Sequence, residues 1–207
     1  MRGERRLFGV SDLRTKEIKA LKLYLASSSP RRRELMGYTG IPFEIKVSDA
    51  DELADGAPDE LVRENARRKG RAVAAHCPDH VVLSADTLVY LPDEQTVLGK
   101  PRDKEDAVRM LKSMQGKWHE VYTGVCVIGP LGEDVRVDVA KVLFDPLTDE
   151  TIRQYVDTNE PMDKAGSYAL QGVGGMFVRR IEGSYSCVIG LPMATVRDML
   201  MPYSLIF

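Results

Sequence analysis

The segment "HVVLSADTLVYL", residues 80–91, constrains the fold most, because it is a long apolar run broken only near its centre. Such a run is typical of a buried strand. Asp86 lies at that centre, and a carboxylate in an apolar strand is costly unless it is paired or bound to a metal. Thr87 beside it adds a hydroxyl. The segment therefore predicts a functional carboxylate, with a strand end or bulge that solvates Asp86 as the alternative.

Strands and helices follow one another along the chain, but not in strict alternation. The patterns predict strands at 21–26, 43–48, 80–91 and 176–183, an antiparallel pair at 120–130 and 133–147, and helices from Ser29 and at 58–76, 102–116, 148–158 and 191–201. Asp103 and Thr148 are the predicted N-caps of two of these helices. A glycine-rich loop is predicted at 159–175. The mixture favours an α/β or α+β fold with a mixed sheet over a fully parallel one.

No Pro/Gly/Ser-rich linker divides the chain, so we predict a single domain over 21–207. Residues 1–20 are interpreted as a polar N-terminal extension, helical near 16–21. The N-terminus has no signal-peptide pattern, and no apolar run in the chain reaches the roughly 18 residues of a transmembrane helix, which argues against a membrane-spanning protein. A net charge of -2 argues against a general nucleic-acid or membrane binder.

Cysteine is scarce and unpaired, with Cys77, Cys126 and Cys187 far apart in the sequence. An odd, scattered set favours reduced thiols in a cytosolic protein over a disulfide framework. His76 and His80 flank Cys77 in "HCPDH", which has a metal-like spacing. It lacks a fourth ligand nearby, so a zinc site is the less favoured interpretation.

The stretch "YLASSSPRRREL", residues 24–35, predicts a helix start that carries an unusual charge. Ser29 is the expected N-cap and Pro30 the first helical residue. Three arginines, residues 31–33, then occupy the first turn, where positive charge costs about 0.3–1 kcal/mol each. A bound polyphosphate would make the same charges favourable. We therefore predict a phosphate site; the alternative is that the arginines point to solvent.

Two further segments carry candidate residues in turns and loops. Lys100 lies in "LGKPRD" between glycine and proline and would suit phosphate oxygens, although an ordinary surface lysine is an equal alternative. The segment "EPMDKAGSYALQG" holds Asp163, Lys164 and Gln171, and the Gln171 amide offers the donor and acceptor needed to read a base edge. Glu52 and Lys69 have surface solvation as their default explanation. The chain lacks a P-loop and a nucleophile elbow.

Seven segments occur together in one order between residue 23 and about residue 200. They are "LASSSPRRREL", "ARRKG", "SADTLV", "GKPRDKEDAVRML", "HEVYTGV", "EPMDKAGSYALQG" and "EGSYSCVIGLP". Together they resemble the Maf family of nucleoside triphosphate pyrophosphatases. The resemblance implies an α/β fold like that of inosine-triphosphate pyrophosphatases: an elongated, two-lobed mixed β-sheet flanked by helices, with a nucleotide cleft between the lobes.

The resemblance also implies an activity, which is hydrolysis of a nucleoside triphosphate to the monophosphate and pyrophosphate with Mg²⁺ or Mn²⁺. "SADT" and "DKAGSYALQG" look like the branch that prefers dTTP and UTP, and modified pyrimidine nucleotides remain open. The alternatives are the 7-methyl-GTP branch and a nucleotide-sensing division regulator without turnover. A link to septum formation, a homodimer and a cytoplasmic location are expected from the resemblance alone.

Site roles follow from the matching motif positions. Ser29, Arg31 and Arg32 would belong to the phosphate-binding turn, and Asp163 and Lys164 would contact substrate. Asp86 would be the proton acceptor, with Glu52, Lys69 and Lys100 as the other acidic and basic catalytic groups. Glu52 and Asp86 would hold the divalent cation, and Arg31, Thr87 and Gln171 would govern base choice.

Overall fold

The computed structural model describes residues 21–205, which form one mixed sheet with helices packed against it. The strands are β1 (Leu23–Leu25), β2 (Phe43–Ile45), β3 (Val81–Leu91), β4 (Thr96–Leu98), β5 (Trp118–Gly129), β6 (Gly132–Phe144) and β7 (Val178–Glu182). The helices are α1 (Pro30–Gly37), α2 (Pro58–Ala74), α3 (Lys104–Met114), α4 (Asp149–Asp157), α5 (Tyr185–Ile189) and α6 (Met193–Leu200). Short 3₁₀ turns lie at Pro92–Glu94, Glu160–Asp163, Ala165–Ser167, Val173–Phe177 and Met201–Tyr203.

Strand β3 is the centre of the sheet, whose order is β2-β1-β3-β5-β6-β7. Along one edge β3 pairs antiparallel with β5 from residue 82 to residue 90. Its other edge is shared, because β1 pairs in parallel with residues 81–83 and β4 pairs antiparallel with residues 89–91. Within the described part of the chain, no strand pairs with residues 84–88 on that second edge. The sheet is therefore open beside the middle of β3.

Two separate apolar cores lie at the two ends of β3. One contains Leu83 with residues of β1, α1, α6 and the distal half of β5. The other contains Leu91 with residues of β4, α3, α4 and the start of β5. Because one strand contributes to both cores, the fold has two lobes joined by a continuous sheet. This architecture confirms the predicted two-lobed mixed sheet.

Helix α2 lies unusually close to the sheet. A Cβ atom at Gly124 of β5 would come within 2.2 Å of the Val62 carbonyl oxygen, so only glycine fits there. The buried Ser84 hydroxyl of β3 donates to the Ala66 carbonyl of α2 at 2.7 Å. These contacts fix α2 against the middle of the sheet and thereby set the position of the side chains along its inner face.

The predicted helix starts are confirmed at atomic detail. Ser29, Asp103 and Thr148 are N-caps whose side-chain oxygens accept a backbone N–H three residues later. Pro30 begins α1, as its position predicts.

Other local predictions are wrong in extent or type. The predicted loop at 159–175 contains three 3₁₀ turns, the predicted strand at 43–48 shrinks to three residues, and β4 and α5 were not predicted. Strands β2 and β4 owe their conformation to pairing with β1 and β3, which local pattern does not encode, whereas α5 is a short helix capped locally by Ser184. The predicted extension at 1–20 lies outside the described residues. So does the helix predicted near 16–21, except for Leu21, which is not helical. The single domain over 21–207 stays a prediction.

Candidate active site

A cleft with a volume of about 790 Å³ lies between the two lobes, beside the open edge of β3. It brings together every side chain to which the matching motif positions assign a site role. They are Ser29, Arg31, Arg32, Glu52, Lys69, Asp86, Thr87, Lys100, Asp163, Lys164 and Gln171. Five of these are cationic and three are acidic, an excess of two positive charges in a chain whose net charge is -2. Such a local excess favours an anionic ligand.

The start of α1 forms one wall of the cleft. Ser29 accepts the Arg32 backbone N–H at 3.5 Å, and the serine-rich turn before it lines the same cavity. Arg31 approaches Asp163 on the opposite lobe, with 3.8 Å between Nη1 and Oδ2. Arg33 is exposed and does not line the cleft. Two of the three arginines therefore line the cleft, as the predicted phosphate site requires. The third, Arg33, points to solvent.

Arg32 is held in place by neutral acceptors. Its Nε donates to the Gly190 carbonyl at 2.8 Å, Nη1 donates to the Ser27 hydroxyl at 3.3 Å, and Nη2 donates to the Thr87 hydroxyl at 3.0 Å. Burial lowers the pKa of Arg32, and Asp86 opposes this by its negative charge. Within the part of the chain that the structure describes, the guanidinium is thus oriented without a direct carboxylate contact that would neutralise it.

The carboxylates of Glu52 and Asp86 converge on one ammonium group. Lys69 Nζ lies 2.6 Å from Glu52 Oε1 and 2.6 Å from Asp86 Oδ1, so the two carboxylate oxygens are at most about twice that distance apart. Asp86 is 8% exposed, whereas the Glu52 side chain is 59% exposed. Asp86, the buried carboxylate in β3, is therefore paired with Lys69. This pairing offsets the energetic cost of placing a carboxylate in an apolar strand.

Electrostatic contacts reach Glu52 from across the cleft. Burial alone would raise the pKa of Glu52, but the hydrogen bond and charge of Lys69, with the charges of Lys100 and Arg32, outweigh it and lower the pKa. Lys100 lies between β4 and α3, in the second lobe, and lines the cleft. Cationic groups from both lobes thus act on one carboxylate.

Asn65 is a site residue that the sequence interpretation missed. It is 4% exposed, and its Nδ2 donates to Asp86 Oδ2 at 3.2 Å. The same amide accepts the Leu53 backbone N–H at 2.7 Å and donates to the Leu53 carbonyl at 3.0 Å. Asn65 therefore links the loop that carries Glu52 to the carboxylate of Asp86. The signal in the sequence was its position one helical turn before Lys69 in "ENARRKG".

The segment after α4 supplies the far wall. Lys164 Nζ lies 2.5 Å from Asp163 Oδ1 and donates to the Glu160 carbonyl at 2.5 Å. Burial would raise the pKa of Asp163, but Lys164 and then Arg31 outweigh it and lower the pKa. Gln171 Oε1 is buried and has no hydrogen-bond partner among residues 21–205. A buried acceptor without a partner is costly.

The donor set suits a hard cation but not zinc. Two carboxylates in a cleft that also holds five cationic side chains match the usual environment of Mg²⁺, which takes one or two carboxylates plus substrate phosphates. No cluster of three or more His, Cys, Asp or Glu side chains suited to a metal occurs within residues 21–205. In "HCPDH", Cys77 contacts Lys46 Nζ at 3.1 Å and His80 Nδ1 accepts the Lys22 backbone N–H at 3.3 Å.

Cysteine side chains take no part in crosslinks. Cys77, Cys126 and Cys187 are buried free thiols. Burial raises the pKa of Cys126 and of Cys187 to about 12, so both stay protonated at neutral pH. None of the helices between residues 21 and 205 combines the length and apolar character needed to cross a membrane.

Comparisons with known proteins agree with this architecture. The chain is 45% identical over 182 residues to the dTTP/UTP pyrophosphatase of Deinococcus radiodurans, covering 87% of this chain and 92% of that protein. It is 50% identical over 187 residues to the dTTP/UTP pyrophosphatase of Anaeromyxobacter dehalogenans, covering 87% and 93% respectively. The Staphylococcus aureus Ham1 protein shares the fold, with a TM-score of 0.52, 12% identity, and coverage of 87% of this chain and 98% of that one. The family model for Maf-like proteins matches residues 22–203, and the chain belongs to that family.

Proposed function

We propose that this protein hydrolyses nucleoside triphosphates, with dTTP and UTP as substrates, to the nucleoside monophosphate and pyrophosphate. The observation that carries the proposal is the convergence of Arg32, Lys69 and Lys100 with Glu52 and Asp86 in one cleft of about 790 Å³. That volume is within the range of small-molecule sites. The names of the curated relatives support the reaction and the choice of substrate.

The cationic side chains bind the triphosphate and stabilise the charge that grows as pyrophosphate leaves. Arg32 lies at the amino end of α1, where backbone N–H groups also favour an anion. Lys100 approaches from the other lobe, so the phosphates are held between the two lobes. Lys69 lies beside the carboxylates and neutralises part of their charge, which lets an anionic substrate approach Asp86.

Asp86 is the proton acceptor for the attacking water. Its carboxylate is fixed by Lys69 and Asn65, so its orientation does not depend on solvent. Water attacks the α-phosphorus, the bond to the bridging oxygen breaks, and the proton of the water passes to Asp86. Glu52 and Asp86 would hold Mg²⁺ or Mn²⁺, which supplies charge neutralisation on the phosphates and makes a bound water more acidic.

Gln171 provides base selection. A thymine or uracil base presents an N3–H donor and an O4 acceptor, which the two ends of an amide can match. Among residues 21–205 the Oε1 atom of Gln171 has no hydrogen-bond partner, and it could accept the N3–H of the base. Cytosine lacks that N–H, so its nucleotide would leave the oxygen unsatisfied.

The test is pyrophosphate release from dTTP, UTP, CTP, GTP and 7-methyl-GTP with Mg²⁺ or Mn²⁺. We expect turnover of dTTP and UTP, and a loss of several orders of magnitude in Asp86→Asn with the fold intact. Gln171→Ala should reduce the preference for dTTP over CTP more than it weakens phosphate binding. Near-normal turnover by Asp86→Asn would show that another group accepts the proton.

Two alternative outcomes are equally clear. Turnover restricted to 7-methyl-GTP would place the chain in the other branch, and tight triphosphate binding without product would support a nucleotide-sensing regulator. Modified pyrimidine nucleotides can be added to the same panel. The septum link, the homodimer and the cytoplasmic location stay predictions.

A further inference from the structure

We propose that Glu160 is a positioning residue for base selection, because its carboxylate holds the backbone turn that directly follows Gln171, and that Tyr155 fixes this carboxylate. The inference deepens the proposed function and rests on it, since it takes Gln171 as the residue that reads the base. Glu160 and Tyr155 lie outside the set of residues that line the cleft. Their effect on the substrate therefore passes through the position of Gln171 and not through contact with the nucleotide.

The Glu160 carboxylate accepts two consecutive backbone N–H groups. The Val173 N–H donates to Oε2 at 3.1 Å, and the Gly174 N–H donates to Oε1 at 3.1 Å. Hydrogen bonds to an ionised acceptor are stronger than those between neutral groups. Because Val173 and Gly174 come two and three residues after Gln171, the carboxylate fixes the course of the chain immediately beyond the proposed base reader.

Gly172, between Gln171 and this turn, lets the carboxylate approach the backbone closely. A Cβ atom at Gly172 would lie 2.6 Å from Glu160 Oε1 and 2.9 Å from Oε2. The backbone there is extended, with a φ of 164°, which any residue adopts without strain. The carboxylate, and not the backbone conformation, therefore requires glycine at position 172.

The carboxylate is itself held in one orientation. The Tyr155 hydroxyl donates to Glu160 Oε1 at 3.0 Å, and Tyr155 is 2% exposed, with its ring edge-on to Phe177 at a centroid distance of 4.9 Å. Burial would raise the pKa of Glu160, but the N–H groups of Gly174 and Val173 and then the Tyr155 hydroxyl outweigh it and lower the pKa. Glu160 is therefore ionised at neutral pH and anchored to the core of the second lobe.

Gln171 depends on the backbone for its orientation. Its Oε1 atom has no hydrogen-bond partner among residues 21–205, so no protein contact of that oxygen fixes the amide. On the amino-terminal side, Leu170 packs against the core that contains Leu83. On the carboxyl-terminal side, the Glu160 carboxylate holds the turn. Weakening that contact should displace the amide of Gln171 and leave the phosphate-binding side of the cleft unchanged.

The first experiment compares Glu160→Gln and Tyr155→Phe with the wild type. Glutamine keeps the volume of Glu160 but replaces one oxygen by an NH₂ group, so in either orientation of the amide one of the two backbone N–H groups faces a donor. Phenylalanine removes only the Tyr155 hydroxyl. The Lys164 ammonium donates to the backbone carbonyl of Glu160 at 2.5 Å, a contact that neither substitution removes.

The measured quantities are kcat/KM for dTTP, UTP and CTP, and the affinity for inorganic tripolyphosphate, which has no base. Glu160→Gln should reduce the preference for dTTP over CTP about tenfold, which corresponds to the loss of one hydrogen bond to a charged group. Tyr155→Phe should reduce it about threefold, since the carboxylate keeps both backbone contacts. Both variants should bind tripolyphosphate within about twofold of the wild type, because the phosphate ligands are untouched.

The double variant Glu160→Gln/Gln171→Ala gives a result that a merely structural role would not produce. If Glu160 acts through Gln171, the double variant should have the same nucleotide preference as Gln171→Ala alone. Gly172→Ala reaches the same contact from the other side, because its Cβ would displace the carboxylate. It should reproduce the loss of preference seen in Glu160→Gln.

A second tyrosine–glutamate pair provides the matched control. The Tyr122 hydroxyl donates to Glu120 Oε2 at 2.8 Å, and neither residue lines the cleft. Tyr122→Phe should therefore leave both the nucleotide preference and the tripolyphosphate affinity unchanged. Thermal unfolding verifies that each variant is folded, and Tyr155→Phe and Gly172→Ala carry the test if Glu160→Gln does not fold.

Three results would overturn the inference. The first is a wild-type preference for dTTP over CTP in folded Glu160→Gln. The second is a double variant whose loss of preference is the product of the two single losses, because Glu160 would then act independently of Gln171. The third is an equal loss on every nucleotide and on tripolyphosphate, which would mean that Glu160 supports the cleft as a whole.

Failure of the proposed function would look different. The wild-type protein would then release no pyrophosphate from any nucleotide, or Gln171→Ala would keep the wild-type preference. Failure of this inference alone leaves turnover by the wild type and the effect of Gln171→Ala intact, and it is seen only in the variants at Glu160, Tyr155 and Gly172.

Discussion

The variant Asn65→Asp tests how strongly the activity depends on the charge state of Asp86. It replaces the Nδ2 donor, which lies 3.2 Å from Asp86 Oδ2, with a carboxylate oxygen of similar size. Two unit charges at that separation repel by about 5 kcal/mol at an effective dielectric constant of 20, before Lys69 offsets part of it. Since one pKa unit corresponds to about 1.4 kcal/mol, one carboxylate of the pair should titrate at least about one unit higher than in the wild type.

The assay is the pH dependence of kcat/KM for dTTP. The acid limb should move up by at least about one pH unit, so activity at pH values on that limb should fall by up to about tenfold and recover as the pH rises above it. The control is Asn65→Ala, which removes the same hydrogen bonds without adding a charge and should lower activity without this recovery. An Asn65→Asp profile that matches the wild type would refute the idea that Asp86 must be ionised beside Asn65.

Stability gives a second readout that is independent of catalysis. A carboxylate whose pKa is raised in the folded state contributes most below its unfolded value and loses that contribution as pH rises through the folded value. Asn65→Asp should therefore be destabilised more at pH 8 than at pH 4, relative to the wild type. Chemical denaturation at the two pH values measures the difference. Equal destabilisation at both values would mean that the new carboxylate does not feel Asp86.

Two other predictions concern stability and phosphate binding. The pKa of Asp106 is lowered to about 2 by the Arg102 backbone N–H and then by Arg109. Relative to an ordinary value of 3.8, this gives about 2 kcal/mol of stability, present above pH 4 and lost as pH falls towards 2. Chemical denaturation should show that Asp106→Asn has a lower free energy of unfolding than the wild type at pH 7, and that this difference disappears as the pH falls towards 2. Gly190→Ala should weaken tripolyphosphate binding. The new Cβ would lie 3.1 Å from the Thr87 hydroxyl, which accepts a hydrogen bond from the Arg32 guanidinium. Gly132→Ala, with the same φ of +112° and open space around it, should cost similar stability but leave binding unchanged.

Sequence pattern was a good guide where the determining interaction is local. A helix cap needs only a side chain and a backbone N–H three residues away, and Ser29, Asp103 and Thr148 provide it. The polar break at Asp86 in an apolar strand was also informative, because the cost of an unpaired carboxylate does not depend on fold.

Pattern failed where the determining interaction joins distant parts of the chain. Strand β4 is three residues long and exists because it pairs with the end of β3. Glu52 and Lys69 looked like surface residues, yet Lys69 meets Asp86, 17 residues further along the chain, through the packing of α2 on the sheet.

The open edge of β3 explains how adjacent residues serve one ligand. Asp86 and Thr87 are neighbours in a strand, so their side chains point to opposite faces of the sheet. Asp86 faces α2 and meets Lys69, whereas Thr87 faces the other side and meets Arg32. Side chains on opposite faces line a common cavity only if that cavity reaches around an edge of the strand. The gap between β1 and β4 provides such an edge at residues 84–88, so the carboxylates approach the substrate from one face of the sheet and the guanidinium from the other.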